Sequence, residues 1–353
     1  MIRLLPTHST IKIVIFMTIL SLVIIGKSMQ NQKQSSPTIV IGLGGDTMLG
    51  RLVNDTINTK GYKYPWGNLL PYLQKTDLTI LNLENTFTKS TKKVSKTFNF
   101  KADPDKVKTL QIAGIDVVNL ANNHILDFDI EGLEETIKTL DNTDIYHVGA
   151  GSNLEKAHKA VVLTKNDIII GIIGYTDNEP GWAAGPNKPG INYIHVGDIA
   201  TVKNDIANIR NNVDLLIISI HWGPNMREKP SQQFISFAHQ MIDAGVDIIH
   251  GHSAHIFQGI EIYKNKLILY DTGDFVDDYR VDPILRNDRS FFYKVIIDKK
   301  SIRQIQLIPT LISNMQVNLA SGKDYQEIIS RIQKLSAPFG TVINNKGTIE
   351  LVK

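Results

Sequence analysis

Metal-binding and proton-transferring side chains stand at the ends of several apolar segments of this 353-residue chain. Each such segment is followed by carboxylate, amide or imidazole groups, and these are Asp46, Glu84, Asn123, His124, His221, His250, His252 and His255. The ligand site of an open α/β sheet lies beyond the carboxyl ends of its strands, so we expect these side chains to meet. Oxygen and imidazole ligands suit Mn, Fe, Zn or Mg. A pair of such ions would polarise a phosphoryl oxygen and supply hydroxide near neutral pH, while His124 would protonate the leaving group.

Alternating strand-like and helix-like segments position these residues. Apolar runs predict strands over residues 38–43, 78–83, 115–120, 168–174, 215–220 and 246–249. Helical periodicity and end signals predict helices over residues 105–113, 130–140, 198–210 and 231–244. Antiparallel pairs are expected within 259–271 and 290–309, followed by a helix at 324–335. This order predicts an α/β core that antiparallel strands complete.

Composition and charge exclude several classes of protein. Hydrophobic residues make up 42% of the chain and charged residues 21%, which is typical of a globular protein. Because the chain has no cysteine, any metal must be held by oxygen and imidazole nitrogen. Residues 1–36 contain four basic and no acidic residues, so the remaining 34 basic and 35 acidic residues give the body a net charge of −1. A neutral body argues against a nucleic-acid partner and against a nucleic-acid phosphodiesterase.

The N-terminal segment indicates export. Fourteen uncharged residues, 13–26, lie between Lys12 and Lys27. As a helix they would span about 21 Å, less than the roughly 30 Å hydrocarbon core. The segment is either a secretory signal cleaved after Ser28 or a retained anchor whose lysines reach the interface, and a buried core helix is the third alternative. We expect a membrane anchor with a polar linker over 1–36 and one extracytoplasmic domain over 37–353.

Five short motifs carry a family resemblance. In chain order they are Gly45-Asp46-Thr47-Met48, Asn82-Leu83-Glu84, Ala121-Asn122-Asn123-His124, His221-Trp222-Gly223 and Gly251-His252-Ser253-Ala254-His255. Over about residues 38–300 the chain resembles the capsule-synthesis CapA family of poly-γ-glutamate biosynthesis proteins, which has a calcineurin-like metallophosphatase fold. The resemblance implies a four-layer α/β sandwich, in which two mixed β-sheets lie between helical layers. It also implies a membrane-associated role in making or exporting an anionic polymer, polyglutamate or a capsular glycan, alongside capsule-synthase membrane proteins.

The resemblance assigns a role to each matching residue. It implies Asp46 as a ligand of a first metal and as a catalytic residue, with His124 as the general acid. The remaining implied ligands are Glu84 as a bridge, Asn123, His221 and His252 on a second metal, and His255 returning to the first.

Three departures from the superfamily pattern leave an alternative open. Met48 stands where the pattern has a histidine, and Glu84 replaces an aspartate, as in other CapA-type sequences. The usual closing motif is His-x-His, which His250 and His252 satisfy. His252 and His255 are one residue further apart. One metal rather than two is then an alternative. So is a catalytically inactive polymer-binding or scaffold subunit on the same fold.

Surface features suggest where a polymer would bind. Residues 89–101 contain no acid, and their lysines are Lys89, Lys92, Lys93, Lys96 and Lys101. We expect Lys96 and Lys101, together with Trp222, to contact an anionic substrate, although a solvated loop has the same composition. Residues 180–190 either line a polymer groove or form a plain Ω-loop. Asp271, Asp274, Asp277 and Asp278 lack the spacing of a calcium loop, so we expect them to be structural.

Overall fold

The computed structural model describes residues 37–349 and residue 351. The predicted anchor and linker over residues 1–36 lie outside the described residues and stay a prediction. Within the described part, no helix has the length and apolar character needed to cross a membrane. The strands are β1 (Thr38–Thr47), β2 (Leu78–Leu83), β3 (Thr86–Phe87), β4 (Lys101–Ala102), β5 (Val117–Asn119), β6 (Tyr146–Val148), β7 (Ala150–Gly151), β8 (Val161–Lys165), β9 (Ile168–Thr176), β10 (Gly190–Ile191), β11 (Leu215–His221), β12 (Ile248–His252), β13 (Ile260–Tyr263), β14 (Lys266–Leu269), β15 (Asp274–Val276), β16 (Arg289–Asp298), β17 (Ile302–Ser313), β18 (Gln316–Leu319) and β19 (Thr348–Ile349). The α-helices are α1 (Arg51–Lys60), α2 (Leu70–Leu73), α3 (Val107–Ala113), α4 (Asp129–Asp141), α5 (Leu154–His158), α6 (Ile199–Ile209), α7 (Gln232–Asp243) and α8 (Gly322–Ser336).

Two mixed β-sheets form the centre of the domain. The first runs in the order β18-β17-β16-β1-β2-β5-β6, with β15 also paired to β1 and β19 to β17. Its strands β15, β1, β2, β5 and β6 are parallel, whereas β16, β17 and β18 pair in antiparallel fashion. The second sheet runs in the order β13-β14-β12-β11-β9-β8. Its four inner strands are parallel and both edge strands are antiparallel.

Three hydrophobic clusters pack between and outside these sheets. Ile217 of β11 belongs to the core between the two sheets. Its neighbour Ile218 points to the opposite face and packs with Met241 of α7, as the alternation of a strand requires. On the outer face of the first sheet, Leu81 packs in one cluster with Leu133 of α4. The layers therefore run helix, sheet, sheet, helix, which confirms the expected α/β sandwich of two mixed sheets flanked by helices.

The local sequence explains why these elements form. All seven residues of β11 are buried, because a parallel strand in the middle of this sandwich is covered on both faces. Helix α7 buries Phe237, Ala238, Met241 and Ile242, a stripe with helical spacing that faces the second sheet. The chain turns after α7 at Gly245, whose φ of +116° lies in a region that side chains disfavour.

A close backbone contact at the end of β1 places the first predicted ligand. The Asp46 amide donates to the Gly273 carbonyl at 3.0 Å. A Cβ atom added to Gly45 would lie 1.7 Å from that same carbonyl oxygen, so only glycine fits there. This approach aligns Asp46 with Asn82 of β2 on one side and with Asp274 of β15 on the other.

We expect Gly45→Ala to lower the free energy of unfolding by about 2 kcal/mol or more, because the backbone of β1 and β15 must separate to admit the methyl group. Gly181→Ala is the matched control, since a Cβ at Gly181 meets nothing within 4 Å. The control should change stability by less than about 0.5 kcal/mol. Urea unfolding in the presence of a chelator measures both. Equal stability of the two variants would contradict the close packing at β1.

Candidate metal centre and active site

The predicted ligands converge where the strands of both sheets end. Asp46 is the penultimate residue of β1, Glu84 follows β2, His221 ends β11 and His252 ends β12. The start of β15 adds Asp274, and none of these five residues is more than 1% exposed. Five buried groups of ligand type from two sheets thus share one space.

One ligand group consists of Asp46, His221 and His252. The Nδ1 atoms of the two histidines lie 3.0 Å apart. Oδ1 of Asp46 is 3.6 Å from Nδ1 of His221 and 3.7 Å from Nδ1 of His252. A carboxylate with two imidazoles is a donor set that Zn, Mn or Fe accepts.

A second ligand group consists of Asp46, Glu84, His255 and Asp274. Oδ2 of Asp46 is 3.7 Å from Nδ1 of His255, which lies 2.8 Å from Oδ1 of Asp274. The two oxygens of Asp46 therefore face different groups, so the geometry makes Asp46 a shared carboxylate. The resemblance gave a bridging role to Glu84, whose Oε1 is also 4.0 Å from Nε2 of His221.

Uncompensated acceptors show that the site fits cations. Within the described residues, Glu84 Oε1, Asn123 Oδ1 and Asp274 Oδ2 are buried without a hydrogen-bond partner. Burial, reinforced by the Asp46 carboxylate, raises the pKa of Glu84 well above its ordinary value. Burial and the carboxylates of Asp277 and Asp46 do the same to the pKa of Asp274. Buried acceptors that repel each other in this way are stabilised by a metal ion, which the donor set of this site can hold.

A chain of hydrogen bonds fixes which nitrogen His252 presents. Nε2 of His250 donates to the Gly44 carbonyl at 2.9 Å, so its Nδ1 is an acceptor. The Ser219 hydroxyl lies 3.2 Å from that Nδ1 and donates to it, and it accepts from Nε2 of His252 at 3.1 Å. His252 is thereby protonated on Nε2, and its Nδ1 lone pair faces Asp46 and His221. His250 supports the site and is not a ligand of either group.

Amide side chains orient the Asp46 carboxylate in a similar way. The Asn122 amide group donates to the Leu83 carbonyl and its oxygen accepts from the His124 backbone, which fixes its orientation. It therefore donates to Asn82 Oδ1. Asn82 in turn donates its Nδ2 to Oδ1 of Asp46 at 2.7 Å.

His124 stands beside the metal ligands, as the general acid predicted from the sequence would. Its Nδ1 donates to Oδ2 of Asp127 at 2.6 Å, while its Nε2 is 3.9 Å from Oε1 of Glu84. The Phe100 ring stacks on the imidazole with a centroid distance of 3.9 Å. Burial lowers the pKa of His124 to about 4, although the Asp127 carboxylate acts in the opposite direction.

The three expected substrate-binding residues occupy different places. Lys96 lines the cavity above His124, but its ammonium group donates to the Asn123 carbonyl and lies 3.0 Å from Oδ1 of Asp127. Lys101 donates to the Ser90 carbonyl at 2.6 Å. Trp222 is 3% exposed and donates its indole N–H to the Tyr270 carbonyl, so it packs inside the second sheet's helical layer.

Two further residues reach this region without having been predicted from the sequence. Asp274 was expected to be structural, yet it belongs to the second ligand group. Its only signal was a carboxylate at the start of a short strand, and the pairing of β15 with β1 could not be read from spacing. Tyr279 also reaches the site, with its hydroxyl 3.5 Å from Oε2 of Glu84.

Comparisons with known proteins place the chain in a family. A model of the bacterial capsule synthesis protein family PGA_cap matches residues 40–279. A probable polyglutamine synthesis accessory protein from Mycobacterium tuberculosis is 31% identical over 350 residues, covering 86% of this chain and 92% of that protein. The capsule biosynthesis protein CapA of Bacillus anthracis is 32% identical over 261 residues, covering 71% of this chain and 62% of that protein. Among solved structures, a putative 5′-nucleotidase from Staphylococcus aureus in complex with alpha-ketoglutarate is 14% identical, with a TM-score of 0.47 over 84% of this chain and 58% of that one. The chain therefore belongs to the bacterial capsule synthesis protein family, which confirms the resemblance in its motifs.

We expect the metal content of the purified protein to follow the two ligand groups. Asp46→Asn should abolish binding at both groups, and His221→Ala at the first group only. Ser219→Ala should weaken metal affinity by about 10- to 100-fold, because His252 loses the hydrogen bond that fixes its tautomer. Elemental analysis after dialysis against manganese or zinc, together with titration calorimetry, measures these effects.

Asp243→Asn is the control, since this exposed carboxylate pairs with Lys264. It should bind as much metal as the wild type. A wild type that binds no metal, or an Asp46→Asn variant that binds as much as the control, would contradict the shared role of Asp46.

Proposed function

We propose that this member of the bacterial capsule synthesis family is a metal-dependent phosphoesterase that acts in making or exporting an anionic polymer. The observation that carries the proposal is the pair of ligand groups that share Asp46 beneath His124. Its relatives are named for capsule biosynthesis and polyglutamine synthesis, which supports polyglutamate or a capsular glycan as the polymer. Membrane attachment through residues 1–36, an extracytoplasmic location and contact with capsule-synthase membrane proteins are further parts of this proposal.

The metal-holding residues of the proposed enzyme are Asp46, Glu84, Asn123, His221, His252, His255 and Asp274. They would hold two divalent ions, or one if a single group binds. Bound divalent ions withdraw electron density from a phosphoryl group and acidify water near neutral pH. Asn123 contributes its buried Oδ1, which has no hydrogen-bond partner among the described residues.

His124 is the proposed proton donor to the leaving group. Asp127 holds the imidazole through Nδ1, so that Nε2 is free to face a substrate. A buried imidazole with a low pKa is neutral at pH 7, and an acid must first be protonated. A phosphoryl anion bound beside His124 raises its pKa by the same Coulombic effect that Asp127 exerts. Substrate binding would in this way favour the protonated form of His124, which is the form that acts as an acid.

Lys96 links this acid to the metal ligand beside it. Its ammonium group contacts the carbonyl of Asn123 and the carboxylate that holds His124. It also lies 4.9 Å from the centre of the Trp182 ring, so it connects the loop at 180–190 to the site. Lys96 is therefore a positioning residue for His124 rather than a free cation on the rim.

A second candidate function rests on Met48. Its side chain is fully buried in the apolar cluster between the first sheet and its helices, so this position offers no ligand to the site. A polymer-binding or scaffold subunit without catalytic activity would tolerate that substitution. Under this alternative, variants of Asp46 and His221 would still support polymer export in cells.

We expect loss of His124 to affect esters according to their leaving groups. With methyl phenyl phosphate, whose phenolate leaves poorly, His124→Asn should lower kcat by about 10²- to 10⁴-fold. With methyl 2,4-dinitrophenyl phosphate, whose leaving group needs no proton, the effect should be small. Lys96→Met should show the same selectivity with a smaller loss, about tenfold. Steady-state kinetics of the manganese-loaded protein give both rates.

Lys165→Met is the control, because Lys165 forms a comparable pair with Asp116 at 2.9 Å. It should leave both rates unchanged. Equal slowing of the two esters by His124→Asn would refute the general-acid role. A wild type inactive on both esters would favour the non-enzymatic candidate.

The outward-facing lysines of the 89–101 segment remain candidates for polymer contact. Lys89, Lys92 and Lys93 are exposed, unlike Lys96 and Lys101. Replacing these three by glutamine should weaken binding of polyglutamate and flatten its dependence on salt, because fewer cations attract the polyanion. Fluorescence anisotropy with labelled polymer at several salt concentrations measures this. The matched control replaces Lys299, Lys300 and Lys346 by glutamine, and equal binding by both triple variants would refute the assignment.

A further inference from the structure

A cavity of about 520 Å³ opens over the proposed metal centre. Asn123, His124 and His255 line it and connect it to the ligand groups. The cations that line it are Arg51, Lys96 and Arg280. Among the described residues, no carboxylate belongs to this lining, although several carboxylates lie beneath it. The space is larger than a single phosphoryl group needs.

Arg51 is held in a fixed orientation on one wall. Its Nε lies 3.0 Å and 3.2 Å from the two carboxylate oxygens of Asp278. Its guanidinium carbon lies 4.7 Å from the ring centre of Phe100 and 5.5 Å from that of Tyr279. The backbone of Arg51 is in the left-handed region with a φ of +49°, a strained conformation that clusters at functional sites. Nε and Nη2 of Arg51 are both bound to Asp278, and Nη1, which makes no hydrogen bond among the described residues, is the donor left for an anion.

The same two rings connect Arg51 to the reacting groups. Phe100 stacks on His124 at a centroid distance of 3.9 Å, and Tyr279 meets His255 edge-on at 5.2 Å. Arg51 is therefore one ring away from the proposed acid and from a metal ligand. An anion bound by Arg51 would therefore lie close to the proposed acid and not at a remote surface.

Arg280 supplies the free charge of the cavity. It is exposed, and in the described part of the chain it makes no hydrogen bond or ion pair. Lys96 differs, since its ammonium group is already bound to Asn123 and Asp127. The exposed ring of Phe98 also lines the cavity and offers an apolar surface to the body of a ligand.

We propose that Arg51 and Arg280 form a subsite for a second anionic group of the substrate, a carboxylate or a phosphate. The site then takes a phosphoester that carries another negative charge close to the reacting phosphoryl group. This inference rests on the proposed phosphoesterase function, because it names the substrate class of that site. Since the second anion does not react, its contacts contribute equally to ground and transition state and act on KM.

The test compares three esters that share the 4-nitrophenyl phosphate group and differ in the second ester arm. The arms are butyl, 3-carboxypropyl and 3-phosphonopropyl, and the manganese-loaded protein is used. The wild type should favour at least one charged arm over butyl by about tenfold in kcat/KM, as a charge-assisted hydrogen bond allows. Arg280→Gln and Arg51→Lys should remove most of that preference by raising KM for the charged ester. Comparison of the two charged arms distinguishes a carboxylate from a phosphate.

Lys299→Gln is the control, because Lys299 is exposed and directly follows Asp298, which pairs with Thr38 at the end of β1 away from Asp46. This variant removes one positive charge and should keep the preference. Arg280 is at the surface, so its variant reports on the subsite even if Arg51→Lys unfolds. Equal rates for all three esters in the wild type, or a preference that survives in Arg280→Gln, would overturn the inference. A wild type inactive on every ester overturns the proposed function. Calorimetric dissociation constants for the three esters then decide the subsite separately, and equal constants would overturn it.

Discussion

The Asp46 carboxylate divides its two oxygens between the two halves of the site. Oδ1 faces His221 and His252 from the second sheet, whereas Oδ2 faces His255 and accepts from the Ser253 amide at 3.2 Å. No other residue of the two ligand groups belongs to both. The position of Asp46 depends on the close contact between Gly45 and Gly273, where β1 and β15 meet. The separation of the two ligand groups therefore follows from where that one side chain is held.

Neutral hydrogen-bonding groups and buried carboxylates have different roles in the site. Neutral groups fix orientation: the Asn82 amide directs Asp46, and Ser219 with His250 directs His252. The carboxylates are left without compensating partners, because Glu84 and Asp274 are each buried with an oxygen that has no hydrogen-bond partner in the described residues. A site whose ligands are oriented but whose carboxylates are unbalanced is prepared for cations, since the neutral network makes the ligands rigid and the carboxylates are stabilised when a metal binds.

The sequence predicted the elements and ligands that depend on local pattern. Buried parallel strands such as β2 and β11 are continuous apolar runs, so their ends could be located, and with them Glu84 and His221. Asp274 and Arg51 were missed because their roles arise from contacts more than 200 residues apart, with Asp46 and Asp278 respectively. Spacing also cannot show that a lysine is already bound. Lys96 and Lys101 share one basic run with the exposed Lys93, yet both of their ammonium groups are bound to backbone carbonyls.

The unusual spacing of His252 and His255 has a structural explanation in the loop between them. Ser253 and His255 have φ values of +116° and +61°, so the backbone turns back sharply after β12. The carboxylates of the site compensate this strain, because Asp46 accepts from the Ser253 amide and Asp271 accepts from the Ala254 amide at 2.7 Å. The turn carries His255 back towards Asp46 and Asp274, where a shorter spacing would place a different residue. The departure from the superfamily pattern is therefore a loop of different geometry that still delivers an imidazole to the shared carboxylate, and it gives no reason by itself to expect a lost metal.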